Sequence, residues 1–97
     1  MTQDNSINND GVEIRRGYYK SGALWWETSY VNGKRHGIDR WYYESGAVSW
    51  EIPYVDGKMH GIEKYYNVDG ANIEYLVLYK EDQEVASIKS NIYGDQS

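Results

Sequence analysis

Two histidines, His36 and His60, have the widest chemical repertoire in this sequence, because an imidazole can bind a metal or act as a general base near neutral pH. They lie 24 residues apart (36 to 60), in the near-identical strings YVNGKRHG and YVDGKMHG. No carboxylate triad accompanies either histidine. A residue that recurs at the same place in each copy is most simply part of the scaffold. We therefore expect turn histidines that hydrogen-bond the backbone, with no metal site and no cofactor.

Other catalytic patterns point away from an enzyme. The sequence has no cysteine and no G-x-S-x-G, phosphate-binding glycine loop or H-E-x-x-H motif. Carboxylates are plentiful, but none stands in an apolar setting that would separate two pKa values for acid–base work. We predict that the chain is not an enzyme and has no catalytic residues.

The composition favours a small β-rich protein. The 97 residues include 11 tyrosines and 4 tryptophans but no phenylalanine, a mixture that suits half-buried positions in sheets and contact surfaces. A net charge of −5 fits poorly with nucleic acid or an anionic membrane. The N-terminus has no apolar run that would predict a secretory signal, so we expect a cytoplasmic location.

An internal repeat organises the chain. YYKSGALWWE from Tyr18 is answered by YYESGAVSWE from Tyr42, again at an offset of 24. A third copy opens as GIEKYYNVDG and then slips by one residue, so that Tyr79 answers Tyr54. Similarity at a fixed period predicts a protein whose repeats bury their faces against their neighbours.

Each repeat has the pattern of a β-hairpin. IDRWYY is β-branched and aromatic, ESG can turn, AVSWEIPY alternates with period two, and VNGK or VDGK supplies the next turn. We predict one all-β domain over residues 1–97: an antiparallel meander forming a twisted single-layer sheet of six or seven strands, with Val12 to Arg16 as a possible first strand. Residues 1–10 are expected to be a flexible N-terminus, 11–84 the repeats, and 85–97 a cap and tail. In that tail the spacing of Val85, Ile88 and Ile92 predicts a short helix or, equally, an irregular strand.

The string Y-x-x-G-K-x-H-G-x-x-x-x-Y-Y-x-x-G resembles the MORN repeat, and more closely the variant of bacterial MORN-like antitoxins. It stands here in full from Tyr30 to Gly46, and from Tyr54 to Gly70 with Asn67 in place of the second tyrosine; the resemblance covers residues 11 to 80. It implies a sheet of hairpin repeats and a binding role, most often neutralisation of a toxin.

A binding surface is best sought where the copies differ. Trp25 in the first copy is equivalent to Ser49 in the second, and Arg35 is equivalent to Met59. By alternation along the strands we expect Trp25 and Trp41 to lie on the face opposite Trp26, Trp50 and Tyr54. One aromatic face would then be exposed as an interaction site, unless a twisted sheet with its tail buries both rows. The candidate partner-binding residues are Trp25, Trp41, Tyr43, Arg35, Arg40, Glu63, Tyr65 and Asp69.

Charge adds a second indication. Lys34, Arg35 and Arg40 form a small basic cluster, whereas the segment from Glu63 to Glu84 is acidic. An acidic flank suits a basic partner protein, although an ordinary solvated face is as good an interpretation.

These observations predict a non-enzymatic protein-binding module. An inhibitor of antitoxin, immunity or phage anti-defence type is the leading hypothesis. A self-associating scaffold, including a homodimer formed edge to edge or face to face, is the alternative, and lipid binding is a weaker one because the chain is acidic.

Overall fold

Strands are the only regular secondary structure in the part of the chain that the computed structural model describes, residues 3–7, 11–69 and 72–89. No helix that could cross a membrane occurs in those ranges. The ten strands are β1 (Gln3–Ile7), β2 (Val12–Tyr18), β3 (Leu24–Val31), β4 (Lys34–Arg35), β5 (Gly37–Tyr42), β6 (Val48–Val55), β7 (Lys58–Met59), β8 (Gly61–Tyr66), β9 (Ile73–Lys80) and β10 (Gln83–Lys89).

All ten strands belong to one antiparallel sheet. Its order is β1-β2-β3-β5-β6-β8-β9-β10, and the two-residue strands β4 and β7 pair with β3 and β6. Because every strand lies beside its neighbour in sequence, the chain is a meander. The predicted all-β fold of hairpin repeats is confirmed.

The turns that follow β3, β6 and β9 have one conformation. Asn32 and Gly33 have φ of 52° and 80°, and Asp56 and Gly57 have φ of 50° and 85°. Positive φ at both central residues is the requirement of a two-residue hairpin turn whose twist matches the strands. Glu81 and Asp82 adopt it as well, with φ of 47° and 72°, so the third turn keeps the geometry although it has lost the glycine.

A one-residue bulge recurs in each repeat. Gly17 pairs with Trp26 while Tyr18 pairs with Leu24, which leaves Trp25 as the extra residue. Ser49 is the extra residue in the second copy and Glu74 in the third. Such bulges bend a strand and redirect its side chains.

The two faces of the sheet differ in chemistry. We call the aromatic face the side that bears one cross-strand row of rings, formed by Trp26, Trp41, Trp50, Tyr65 and Tyr75. We call the aliphatic face the other side, which bears the pairs Ile38–Pro53 and Ile62–Leu78 and the ion pairs Arg16–Glu27 and Arg40–Glu51.

Very little of the sheet is dry. Ile52 and Val77 are the only buried hydrophobic side chains among the described residues, at 5% and 2% exposure. The Cα radius of gyration is 15.1 Å, whereas a compact chain of this length has about 12.5 Å. The molecule is one layer thick where most domains have two packed layers.

The ends of the chain differ from expectation. Gln3–Ile7, placed by the sequence prediction in a flexible N-terminus, forms strand β1 on the edge of β2. The predicted helix near Val85 and Ile88 is wrong, because β10 continues the sheet, and the alternative of an irregular strand is confirmed by its bulge between Glu84 and Ala86. Ile92 and residues 94–97 lie outside the described residues.

Candidate functional site

The aromatic row runs across the sheet as a continuous stack. Ring centroids are 6.1 Å apart between Trp26 and Trp41, 5.8 Å between Trp41 and Trp50, 5.3 Å between Trp50 and Tyr65, and 5.2 Å between Tyr65 and Tyr75. These separations are those of favourable aromatic pairs. The rings therefore shield one another in part: Trp26, Trp41, Trp50 and Tyr65 are half-buried, and Tyr75 at the end of the row is 37% exposed.

Trp25 extends the row at its N-terminal end. As the extra residue of the first bulge, it places its ring 5.7 Å from Trp41, edge-on at 84°, and 5.7 Å from Tyr19. The bulge thus brings three indoles together around Trp41. Ser49 at the same place in the second copy offers only a hydroxyl, which donates to the Trp41 carbonyl at 3.1 Å.

An open cavity of about 230 Å³ lies beside these rings in the first repeat. We call it the first-repeat pocket. Two indoles, a tyrosine, two arginines, a threonine and two carboxylates line it, namely Trp26, Trp41, Tyr30, Arg15, Arg35, Thr28, Asp39 and Glu27. The Glu27 carboxylate accepts a hydrogen bond from Arg16 Nε at 2.7 Å, so its charge is balanced outside the pocket.

The arginines of the pocket are held over tyrosine rings. The Arg15 guanidinium stands 4.0 Å above the Tyr30 centroid and is neutralised by Glu13, with Nε and Nη2 at 2.9 and 3.2 Å from the carboxylate. Arg35 stands 5.2 Å from the Tyr54 centroid and 6.0 Å from that of Tyr30. Its Nε lies 3.4 Å from Asp39 Oδ2, and its side chain is 43% exposed. Arg35 is thus slightly more exposed than Arg15, whose side chain is 36% exposed, and it has the longer ion-pair contact.

Asp39 forms the floor and is only 4% exposed. The Thr28 hydroxyl donates a hydrogen bond to Asp39 Oδ1. Burial raises the pKa of Asp39 above its ordinary value, and this effect exceeds the lowering by Thr28 and by the positive charge of Arg35. The carboxylate is thus poorly solvated and depends on these two neighbours.

The second copy arranges the same scaffold differently. Glu63 occupies the position of Asp39, and its Oε2 accepts hydrogen bonds from Trp50 Nε1 at 2.7 Å and from the Tyr65 hydroxyl at 3.0 Å. Burial and then the bond to Glu63 raise the pKa of Tyr65 to about 12. Ile52 and Met59 stand where the first copy has Thr28 and Arg35. The rings of this copy therefore satisfy its own carboxylate.

The structure brings Trp25, Trp41, Arg35, Glu63 and Tyr65 to the aromatic face. The prediction that Trp41 lies opposite Trp26 and Trp50 is wrong, because Trp41 is the direct cross-strand partner of both. Strict alternation also misplaces Trp25, which the bulge turns toward Trp41. Glu63 is buried and belongs to the face rather than to a solvated acidic flank.

Three other candidates lie elsewhere. Arg40 is on the aliphatic face, with its Nε 2.7 Å from Glu51 Oε2. Tyr43 joins neighbouring repeats by donating to the Tyr66 carbonyl at 2.7 Å. Asp69 caps the turn before β9, where its carboxylate accepts from the Asn72 backbone and side-chain amides at 3.3 and 3.1 Å.

The histidines lie at the turns between repeats. His36 Nδ1 faces the Asp56 backbone N–H at 3.5 Å, and His60 Nδ1 faces that of Glu81 at 3.4 Å. These long contacts to backbone agree with the expected turn role. Within the described ranges no three His, Cys, Asp or Glu side chains cluster closely enough to bind a metal ion.

Sequence reasoning missed Trp26, Tyr30, Asp39 and Arg15 as part of the site. The signal was present in the two-residue turn at Asn32–Gly33. A turn of that length pairs Val31 with Lys34, and antiparallel pairing then puts the even residues of β3 on the same face as the odd residues of β5. Trp26, Asp39 and Trp41 follow from that register.

Comparison of the chain with protein-family models, with curated proteins and with solved structures gives no match.

Proposed function

We propose that this protein is a non-enzymatic module that binds another protein through its aromatic face. The observation on which the proposal depends is the combination of a single-layer sheet, with two buried hydrophobic side chains in the described residues, and a cluster of tryptophan, tyrosine and arginine on one side. A sheet face is ordinarily covered by a second layer. In this proposal the partner supplies that layer.

The chemistry of the aromatic face supports this function. Tryptophan, tyrosine and arginine are the residues that most often dominate binding energy at protein interfaces. The half-buried tryptophans and tyrosines of the row each combine an apolar body with a polar tip, which suits a surface that is hydrated when free and desolvated when bound. A sheet with principal extents of 51 by 35 Å is large enough for the roughly 800 Å² per partner of a standard interface.

Inhibition of the partner is the form of this function that we favour. A rigid face of this size blocks whatever lies beneath it, and the resemblance of the repeats to MORN-like antitoxins points the same way. The aromatic face and the exposed acidic residues of β9, β10 and the turn between them, Glu74, Glu84 and Glu81, would contact such a partner together.

Affinity purification with paired baits tests the proposal. The wild-type chain, an aromatic-face variant Trp25→Ala and an aliphatic-face variant Ile62→Ser are each used to capture proteins from the native host. We expect one partner to be recovered with wild type and with Ile62→Ser, and to be depleted with Trp25→Ala. A partner retained equally by all three folded baits would contradict the assignment of the aromatic face.

Self-association is the second candidate, and strand β10 favours it. All seven of its residues are exposed, and its outer edge has no strand partner among the described residues. An open edge of this kind can pair with another chain. Light scattering across a concentration series decides the matter, because edge pairing predicts a dimer that dissociates when Ala86→Pro removes a backbone donor.

A further inference from the structure

Charge is distributed unevenly along the sheet. Between residues 11 and 40 there are six cations and three anions, a balance of +3: Arg15, Arg16, Lys20, Lys34, Arg35 and Arg40 against Glu13, Glu27 and Asp39. Between residues 41 and 89 there are four lysines and nine acids, a balance of −5. The first-repeat pocket therefore lies in the basic third of an acidic protein.

Within the pocket, Arg35 is the group able to receive an anion. Arg15 is already paired by two hydrogen bonds to Glu13. Arg35 Nε lies 3.4 Å from Asp39 Oδ2, a longer contact than those of Arg15 with Glu13, and the Arg35 side chain remains 43% exposed. Its Cζ lies 5.2 Å from the centre of the Tyr54 ring, and a guanidinium suits the planar, two-oxygen geometry of a carboxylate.

The second copy has the same backbone but no cation at the position of Arg35. There the longer Glu63 side chain reaches its own Trp50 and Tyr65 donors, and Met59 removes the cation. The first copy has the shorter Asp39, which instead uses Thr28 and Arg35. Neither Trp26 nor Trp41 donates an indole hydrogen bond to a described residue as Trp50 does. The two sites thus share a backbone and differ in the residues that would contact a ligand.

We propose that the first-repeat pocket is the anchor site for an acidic side chain, aspartate or glutamate, of the partner protein, with Arg35 as the carboxylate receptor and Trp41 and Tyr30 as the walls. This inference rests on the proposed function and specifies the partner chemistry of the same face. A carboxylate bound beside these rings is partly desolvated, so its attraction to Arg35 is stronger than at an open surface. In this proposal the first-repeat pocket selects the partner, and the remainder of the aromatic face contributes most of the buried contact area.

A random 12-residue peptide library displayed on phage tests the inference even before a partner is identified. The immobilised full-length chain selects binders, and the enriched sequences are made as synthetic peptides. We expect an invariant aspartate or glutamate next to an apolar residue. Replacement of that acid by its amide should weaken binding by about tenfold or more, measured by fluorescence anisotropy.

Two protein variants locate the site. Arg35→Met gives the first copy the residue of the second, and it should reduce affinity for the acidic peptides by at least about tenfold. Met59→Lys adds a cation at the matching position of the second copy and should leave the affinity within about twofold, because no cavity with the same lining accompanies it. Circular dichroism confirms that both variants are folded.

The possible results distinguish a failure of the acidic anchor from a failure of the aromatic face as the docking surface. Two results would overturn the acidic anchor while leaving the aromatic face as the docking surface. In the first, the peptides compete with one another and lose affinity with Trp25→Ala but contain no acidic residue. In the second, they lose affinity with Trp25→Ala but bind Arg35→Met as tightly as wild type. Peptides insensitive to Trp25→Ala and Arg35→Met but sensitive to Ile62→Ser would overturn both. Failure to enrich any peptide would overturn the anchor pocket as well.

Discussion

Gly17 sets the position of the aromatic row at the scale of one residue. It pairs with Trp26 across β2 and β3, and the indole lies directly over its backbone. A Cβ built on Gly17 would stand 2.3 Å from Trp26 Nε1 and 2.4 Å from Cε2. The glycine is therefore required by close approach of a rigid ring, and not by a turn.

Gly17→Ala is predicted to destabilise the fold by about 1–3 kcal/mol, because the indole must move out of the row. Urea unfolding measures the change. In a double-mutant cycle with Trp26→Leu the cost of Gly17→Ala should fall to below about 1 kcal/mol, since the clash is removed. An equal cost in both backgrounds would show that the ring is not its cause.

Tyr43, one of the candidate partner-binding residues predicted from the sequence, is half-buried and makes a structural contact. Tyr43→Phe removes the hydroxyl that donates to the Tyr66 carbonyl at 2.7 Å. We expect a loss of about 1 kcal/mol in the free energy of unfolding and no change in partner affinity. Tyr75→Phe is the control, because the Tyr75 hydroxyl has no hydrogen bond to the described residues; it should leave stability unchanged. If Tyr43→Phe weakened partner binding and Tyr75→Phe did not, Tyr43 would have to be counted among the binding residues.

Strands are joined on the aliphatic face by a ladder of alternating charges. Arg16 pairs with Glu27, and Arg40 with Glu51, each at 2.7 Å. The Tyr66 hydroxyl also donates to Glu51 Oε1 at 2.9 Å. Partial burial tends to raise the pKa of Glu51, but the hydrogen bonds from Arg40 and Tyr66 outweigh it, so the pKa is lowered from 4.5.

A lowered pKa in the folded state makes Glu51 stabilising above its unfolded pKa, and this contribution is lost as the pH falls through the folded pKa. Glu51→Gln should therefore reduce stability by about 1–2 kcal/mol at pH 7, with a smaller difference from wild type below about pH 4. Glu44→Gln, at an exposed position without an ion pair to the described residues, is the control and should leave the free energy of unfolding at pH 7 within about 0.5 kcal/mol of wild type. Urea unfolding between pH 3 and 7 provides the curves, and a constant difference for Glu51→Gln would contradict the pairing.

The strands and turns were predictable from the sequence, because the Asn-Gly and Asp-Gly turns and the alternating apolar residues point to the same hairpins. The bulges were not predictable, because nothing in the alternating pattern of β3 marks Trp25 as an extra residue. Only the pairing with β2 leaves Trp25 without a partner and changes the direction of its side chain. The bulge in β10 also explains the mistaken helix. Val85 is the extra residue of that bulge. Val85 and Ile88 are therefore three residues apart, as on one face of a helix, although both lie in a strand.

The whole molecule depends on a very thin core. Ile52 and Val77 face the same side as the rings and are the only buried hydrophobic side chains in the described ranges. The aliphatic side chains of the opposite face remain open, with Ile62 at 49% exposure. Stability should therefore be concentrated in few positions.

Ile52→Ala is predicted to cost about 2–4 kcal/mol, a large part of the total stability of a small domain, because it opens a cavity in the middle of β6. Ile62→Ala removes the same atoms from an exposed position and should cost less than about 1 kcal/mol. Denaturant unfolding of both variants provides the comparison. Similar losses would indicate that the aliphatic face is covered in solution, as face-to-face association of two sheets would require.

Hydroxyl-radical footprinting of the complex tests the docking surface most directly. Radicals oxidise exposed indole, phenol and aliphatic side chains, so one experiment compares both faces in the free and the bound protein. We expect the partner to protect Trp25, Trp41 and Tyr65 several-fold while Ile62 and Leu78 keep their free rates. Protection of Ile62 and Leu78 with unchanged tryptophan oxidation would contradict the account, because the partner would then cover the aliphatic face.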